Sequence, residues 1–358
     1  MAVMSEVTVS IVCTNYNKGP WIVDAIESFL RQKTNFVYEI IIIDDKSTDN
    51  SPEIIKKYTE EHSDKIRAIF NRKNLGITKT WKKVCRQANG KYIARCDGDD
   101  YWIDNYKLQK QVDALRKNRK SKWCNTDFDI INENGEIIQK SGFQSGHMKM
   151  SDSYEDVFAN KGFTMASTWL VDAALMKQIN DELDDGAVDD TFNIQLDLFH
   201  KTKLTHIPEV TTVYRVCDGS DSRPVDPVAI ENRNKQLVNT QLTYLKKYRD
   251  VDYVKIIKKL LVLSEVNDNR LALIDRQRSL IEVQEEKVKD LKSKIVEISK
   301  KREELSIRLE NYENEIDKID SLTDNIRKSI ELLKKDFENL AEKSEKISKD
   351  IRSISFNI

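Results

Sequence analysis

Three carboxylates stand within four positions at Asp97-Gly98-Asp99-Asp100, directly after the apolar run Tyr92-Ile93-Ala94-Arg95-Cys96. Like charges so crowded repel, and a hard divalent cation with oxygen ligands, Mn²⁺ or Mg²⁺, is their usual partner. A calcium loop of the EF-hand kind is excluded, because it would need a ligand at Tyr101 and a glycine at Trp102. A solvated acidic turn is the plain alternative. Two more polar clusters end apolar runs: Thr14-Asn15-Tyr16-Asn17-Lys18 and Asp44-Asp45-Lys46-Ser47-Thr48-Asp49. A further carboxylate pair, Asp189-Asp190, opens a helical stretch at 191–200, where helix capping would account for it equally well.

The elements that must position these residues alternate. Strand-like runs at 7–13, 38–43, 66–70 and 92–96 are mostly apolar, and helical patterns at 21–30, 52–58 and 78–88 separate them. This predicts an α/β fold with a parallel sheet covered on both faces. Ligands of such sheets bind outside the carboxyl ends of the strands, so the three polar clusters should converge on one edge. A pocket with an aromatic face, a carboxylate and a cation site suits a nucleotide. Its base would stack on Tyr16, Asp45 would accept from a ring N–H, and the cation would neutralise a pyrophosphate. No glycine-rich turn follows the first strand, which sets aside Rossmann and P-loop sites.

Val9-Ser10-Ile11-Val12-Cys13-Thr14-Asn15-Tyr16-Asn17, Ile41-Ile42-Ile43-Asp44-Asp45-Lys46-Ser47-Thr48-Asp49, Asn74-Leu75-Gly76 and Gly90-Lys91-Tyr92-Ile93 before the acidic cluster resemble, in order and spacing, the family 2 glycosyltransferases with a GT-A fold. The resemblance covers about residues 5–225. It implies an inverting, metal-dependent transferase that takes a sugar from a nucleoside diphosphate, a UDP-sugar in the first instance. Carried over by position, Thr14, Tyr16 and Asp45 hold the base, Asp97 and Asp99 form the metal-binding motif with Asp100 beside them, and Lys18 and Arg72 are candidates for phosphate contacts. The catalytic base maps to Asp190 of the Asp189-Asp190 pair, and Arg215 is a candidate to face the diphosphate. Many members carry a histidine, often a metal ligand, where this chain has Cys217, so the third protein ligand is open.

Between 121 and 225 the pattern is less regular and should form the acceptor side. Asn132-Glu133-Asn134-Gly135 reads as a hairpin turn between strands at 123–131 and 136–139, and 163–170 as a strand leading into a helix at 171–176. A strand at 211–216 precedes Cys217.

All ten glycines lie at or before Gly219 and all five prolines at or before Pro227, so a different kind of segment begins near 225. Residues 226–267 read as a helical connector and 268–358 as a coiled coil. One heptad position is Ile298, Leu305, Tyr312, Ile319, Ile326, Leu333, Leu340, Ile347 and Ile354. The other is Ile295, Arg302, Leu309, Ile316, Thr323, Ile330, Phe337, Ser344 and Ile351. Unbroken, this repeat would run roughly 90 Å. A single chain buries such a seam only by folding back or by meeting its own copies, and parallel self-association into a homo-oligomer is the preferred expectation.

The net charge of −1 gives no sign of a nucleic-acid partner. No apolar run approaches the ~18 residues of a membrane span, and the first residues lack a signal peptide pattern, so a cytoplasmic chain with reduced cysteines is expected. Membrane contact would be peripheral, through a lipid-linked acceptor. Two functions follow: transfer of a sugar to a hydroxyl of a cell-surface glycan precursor or glycoprotein, or a non-catalytic nucleotide-sugar-binding scaffold that recruits partners through its tail.

Overall fold

A computed structural model describes residues 6–217, 224–311 and 326–343, with side chains described outside 302–311. Two compact units are present, Met1–Leu260 and Leu261–Ile358. In the first, β1 (Val9–Asn15), β2 (Tyr38–Asp44), β3 (Ile66–Phe70) and β4 (Tyr92–Asp97) are mutually parallel in the order β3-β2-β1-β4. The sheet continues through β8 (Leu170–Asp172), β6 (Ser121–Ile131), β9 (Lys203–Arg215) and β5 (Tyr101–Trp102), with β7 (Ile137–Gln139) paired to β6. β8 runs antiparallel to both its neighbours, and β6 and β9 are parallel.

Strand alternation explains why so many consecutive residues are apolar. Ile11, Cys13, Ile40, Ile42, Ala94 and Cys96 face one layer, with α1 (Ile22–Leu30), α2 (Ser51–Glu61) and α4 (Lys107–Lys117) laid over it through Phe29, Ile55 and Val112. Val12, Ile41, Ile43 and Ile93 face the other, under Trp81 of α3 (Ile77–Cys85), Ile179 of α6 (Ala173–Glu182) and Ile194 of α7 (Asp190–Lys201). Each such isoleucine, fully buried, contributes about 1.5–3 kcal/mol of transfer free energy.

A third cluster joins α5 (Tyr154–Asn160) and α7 to α8 (Pro227–Lys247) and the first turns of α9 (Tyr253–Asn311), through Phe158, Phe192, Leu196, Leu237, Tyr244 and Ile256. Asp197, wholly buried on α7, accepts hydrogen bonds from Tyr244 Oη at 2.7 Å and from Tyr248 Oη, and pairs with Lys247 Nζ at 2.7 Å. The helical stretch after 226 is therefore docked on α7 by a charge as well as by apolar contact.

Two expectations are corrected. Residues 163–170 do not form a strand: Met165 takes a left-handed φ of 52°, a 3₁₀ turn spans Ala166–Thr168, and only β8 pairs. The strand expected at 211–216 begins at Lys203. Pro208 lies where the β6–β9 register shifts, and a bulge is where a strand tolerates proline.

In the second unit, α9 buries or half-buries Ile274, Gln277, Ile281, Gln284, Val288, Leu291, Ile295 and Ile298, a strict 3,4 repeat. Residues 326–343 are helical and shield Ile326, Ile330, Leu333, Phe337 and Leu340 at 4,3 spacing. Lys292 Nζ lies 5.5 Å from the Phe337 ring centroid, so within this unit the chain returns on itself, as the fold-back alternative requires. The heptad positions in 302–325 and 344–358 fall outside the described side chains. Among the described residues no helix is long and apolar enough to cross a membrane.

Candidate active site

The carboxyl ends of β1, β2 and β4 meet at a cleft of about 510 Å³, lined among others by Thr14, Tyr16, Lys18, Asp45, Arg95, Asp97, Asp99, Asp190, Arg215 and Cys217. The acidic turn after β4 fits against the end of β1 because Gly98 has no side chain. A Cβ there would stand 2.8 Å from Asn15 Oδ1. Gly98 N–H donates to Thr14 O at 3.0 Å, and Thr14 Oγ1 donates to Asp97 Oδ1 at 2.8 Å. Thr14 thus holds a carboxylate of the acidic turn.

The loops after β1 and β2 lock each other. Asn17 (φ 54°) and Lys46 (φ 65°) sit in the left-handed region, which non-glycine residues rarely adopt. The Asn17 N–H donates to Ser47 Oγ at 2.9 Å and Thr48 N–H to Asn17 Oδ1 at 2.8 Å. Tyr16, between Asn15 and Asn17 in the first of these loops, is 44% exposed and lines the cleft. Asp45 is buried and accepts from Asn71 Nδ2 at 2.7 Å and from the Leu75 and Gly76 amides, each at 2.9 Å. It anchors the 71–76 loop on the rim of the cleft, a structural duty the sequence reading did not foresee. Arg72 is exposed on that loop and does not line the cleft.

The three clustered carboxylates differ. Asp99 Oδ2 is 2.6 Å from Lys18 Nζ. Burial works against the Lys18 charge, but Asp99 outweighs it and holds the ammonium above its ordinary pKa. Asp97 keeps part of its carboxylate toward the cleft, with 32% of the side chain exposed. Asp100 is buried, receiving Ser167 Oγ at 2.5 Å and the Arg215 amide at 2.9 Å. Burial, then the neighbouring Asp99, pushes its carboxyl well above the usual range.

Asp97 and Asp99 are hard oxygen donors and suit Mg²⁺ or Mn²⁺, which take one or two carboxylates and complete their shells with phosphate oxygens and water. Asp100, with both oxygens engaged, does not suit that role. Burial, then Asp99, raises the Cys217 thiol to about 11, and a protonated thiol is a poor ligand for a hard ion. Among the described residues no group of three or more His, Cys, Asp and Glu side chains is set to hold a metal.

Across the cleft, the Asp189-Asp190 pair divides. Asp189 caps α7, accepting from the Phe192 amide at 2.9 Å, and pairs with Arg233 of α8 at 2.5 Å. Asp190, 3% exposed, receives Arg95 Nη1 at 2.7 Å. Burial raises its carboxyl above the usual range against the pull of Arg95. Arg95 also lies 3.4 Å from Asp97 Oδ1 through Nε and stacks 4.5 Å from the Trp81 ring. Sequence reasoning missed Arg95 and Arg233. The signal for Arg95 was available: a cation inside a strand buried on both faces must have a partner. Arg215 spends its guanidinium on Asp24 Oδ2 (3.1 Å), Asp99 O (3.1 Å) and Glu133 O (3.4 Å), so it braces the cleft wall.

Residues 10–179 match the family model described as glycosyl transferase family 2. Over that stretch, somewhat under half of the chain, the sequence is similar to this family. An uncharacterised protein of Mycobacterium tuberculosis (strain H37Rv) is 40% identical over 126 residues, 35% of this chain and 36% of its own length. TuaG of Bacillus subtilis (strain 168), whose name provisionally assigns it as a glycosyltransferase to teichuronic acid biosynthesis, is 30% identical over 152 residues, 42% of this chain and 57% of TuaG. The matches thus span only about a third to somewhat over half of these relatives' own length. Crystals of S. aureus TarS 1–349 with UDP-GlcNAc superpose with a TM-score of 0.53 at 18% identity, covering 71% of this chain and 70% of that one. At that identity the likeness establishes the fold, which is GT-A. The matched stretch takes in β1 to β4 and the acidic turn and ends before Asp190, Arg215 and Arg233.

Proposed function

We propose that this chain is an inverting glycosyltransferase that moves a sugar from a nucleoside diphosphate to an acceptor hydroxyl, with Asp190 as catalytic base. The observation that carries the reading is the single cleft in which Asp97 and Asp190, from β4 and α7, both hang on Arg95 at 3.4 and 2.7 Å. Tyr16 and Asp45 would receive the base, and Lys18 the diphosphate. An acceptor hydroxyl entering beside Asp190 gives up its proton as it attacks the anomeric carbon from the face opposite the leaving group, which inverts that carbon. A raised carboxyl pKa makes Asp190 the stronger base. A divalent cation held by Asp97 and Asp99, Mn²⁺ or Mg²⁺, would supply charge that stabilises the departing diphosphate. Asp189, which lines the same cleft, orders the start of α7 and ties it to Arg233.

UDP-sugars are the first donors to test, since TarS, of the same fold, was crystallised with UDP-GlcNAc. The name of TuaG points to a surface-glycan precursor as acceptor, with a glycoprotein second. A lipid-linked acceptor would bring a cytoplasmic chain to the membrane, and the tail would pair copies or partners. Transfer from a panel of nucleotide sugars with Mn²⁺, read as released nucleoside diphosphate and glycosylated acceptor, tests the reading. Wild-type rates in Asp190→Asn would remove Asp190 as the base, and tight UDP binding without turnover of any donor would favour the scaffold.

A further inference from the structure

The cation-facing carboxylates of the cleft already have protein cations. Asp99 is closed by Lys18 Nζ at 2.6 Å, with only 23% of the Lys18 side chain and 17% of the Asp99 side chain exposed. Asp97 is shared between Thr14 Oγ1 at 2.8 Å and Arg95 Nε at 3.4 Å. A divalent ion that takes the Asp99 Oδ2 held by Lys18, or both oxygens together, must displace the ammonium, because two cations in contact with one oxygen repel each other strongly. Lys18 has somewhere to go. It follows Asn17 in the loop beside Tyr16, lines the same cleft, and its flexible stem carries three donors that suit phosphate oxygens.

We propose that Lys18 is an internal placeholder for the metal: it neutralises Asp99 while the cleft is empty and swings to the diphosphate when a nucleotide enters, freeing Asp99 for the divalent ion. The proposal rests on the nucleotide-sugar reading above and adds to it an order of events. Metal and nucleotide bind cooperatively because the same side chain blocks one and receives the other. Arg95 cannot play this part, since it is buried and fixed between Asp190 and the Trp81 ring.

Isothermal titration of Mn²⁺ into the full chain, with and without saturating UDP, tests the placeholder, in wild type, Lys18→Met and Lys18→Arg. Reciprocal titration of UDP with and without Mn²⁺ must give the same coupling factor. In wild type, UDP should tighten Mn²⁺ binding by ~10-fold or more. Lys18→Met should bind Mn²⁺ without nucleotide ~10-fold more tightly than wild type and show a coupling factor smaller by the same ~10-fold, with the part that comes from phosphate oxygens on the ion left in place. Lys18→Arg keeps the charge and should keep the coupling. Its far-UV spectrum and melting curve, beside those of Lys18→Met, separate the charge effect from misfolding. Equal Mn²⁺ affinity with and without UDP in wild type, or Lys18→Met indistinguishable from wild type, overturns the placeholder while leaving the nucleotide site intact. Where UDP does not bind, the same titrations are run with GDP, ADP, CDP and dTDP, and failure of every nucleoside diphosphate to bind wild type overturns both the nucleotide-sugar reading and the placeholder built on it.

Discussion

Arg95 Nη1 stands 2.7 Å from Asp190 Oδ2, and both side chains are buried at the floor of the cleft. The pair joins residues 95 positions apart in the chain and ties the first turn of α7 to the last turns of the central strand β4. Losing either partner leaves a buried charge without compensation. Asp190→Asn should lower kcat by about 10²–10⁴-fold with little change in donor KM, as expected for loss of a general base. Stopped assays of released nucleoside diphosphate read this directly.

The pH profile should expose the same pair. Asp190 must be unprotonated to act, so kcat/KM rises with pH through its pKa, which burial sets above the ordinary carboxylate range. Arg95 favours the charged carboxylate. Arg95→Met should therefore move the acid limb to higher pH, and Arg95→Lys should move it less. An unmoved limb in Arg95→Met would show that Asp190 is not the group that titrates.

Asp45 offers a separate test of donor binding. Its carboxylate receives three N–H groups from the 71–76 loop, and Asp45→Ala strands those donors, at about 1–3 kcal/mol for each that stays buried and unpaired. Weaker UDP binding by equilibrium titration and a lower melting temperature are both expected. A loss of affinity with unchanged melting would assign Asp45 to the base alone.

Removing α8 should cost more than removing the tail. A chain ending at 225 exposes Phe158, Phe192 and Leu196 to water and removes the Tyr244, Lys247 and Tyr248 partners of Asp197, so the loss is set mainly by apolar area, about 1.5–3 kcal/mol for each such side chain fully uncovered. A chain ending at 260 keeps both. Cooperative melting of the shorter chain with full donor affinity would contradict this.

The second unit carries its own test. Gln277 Oε1 and Gln284 Oε1 are buried in the α9 seam without a hydrogen-bond partner. Gln284→Leu should stabilise helicity in this unit, by about 1–3 kcal/mol, because it removes an unsatisfied buried acceptor. Thermal unfolding followed at 222 nm reads it.

The strands and helices up to Asp97 were legible because β1, β2 and β4 are buried over most of their length on both faces, which leaves a nearly continuous apolar run. The acidic turn and Tyr16 were legible because they end such runs. What stayed hidden shares a physical reason: its partners are distant in sequence. Arg95 looked like an interruption of a strand until Asp190 and Asp97 closed around it. Asp100 read as a metal ligand, and the loop-anchoring duty of Asp45 stayed hidden, because partners such as distant backbone amides and a serine hydroxyl leave no trace next to a carboxylate in the sequence. The first half of β9 was lost because half-exposed residues and Pro208 blur the alternation.

Arg215 braces Asp24, the Asp99 carbonyl and Glu133 together, and that has a consequence for synthesis. The acidic turn must wait 116 residues for the guanidinium that fixes it. At ~5–20 residues per second, that is on the order of 6–23 s of translation. For the first 91 residues of that interval a nascent chain exposes the acidic turn and β4 with neither Arg215 nor Asp190 yet made, so the growing polypeptide passes through a stage in which its half-built sheet needs shelter. Slowed elongation between Asp99 and Arg215 should lengthen that stage and raise the chain's dependence on nascent-chain chaperones.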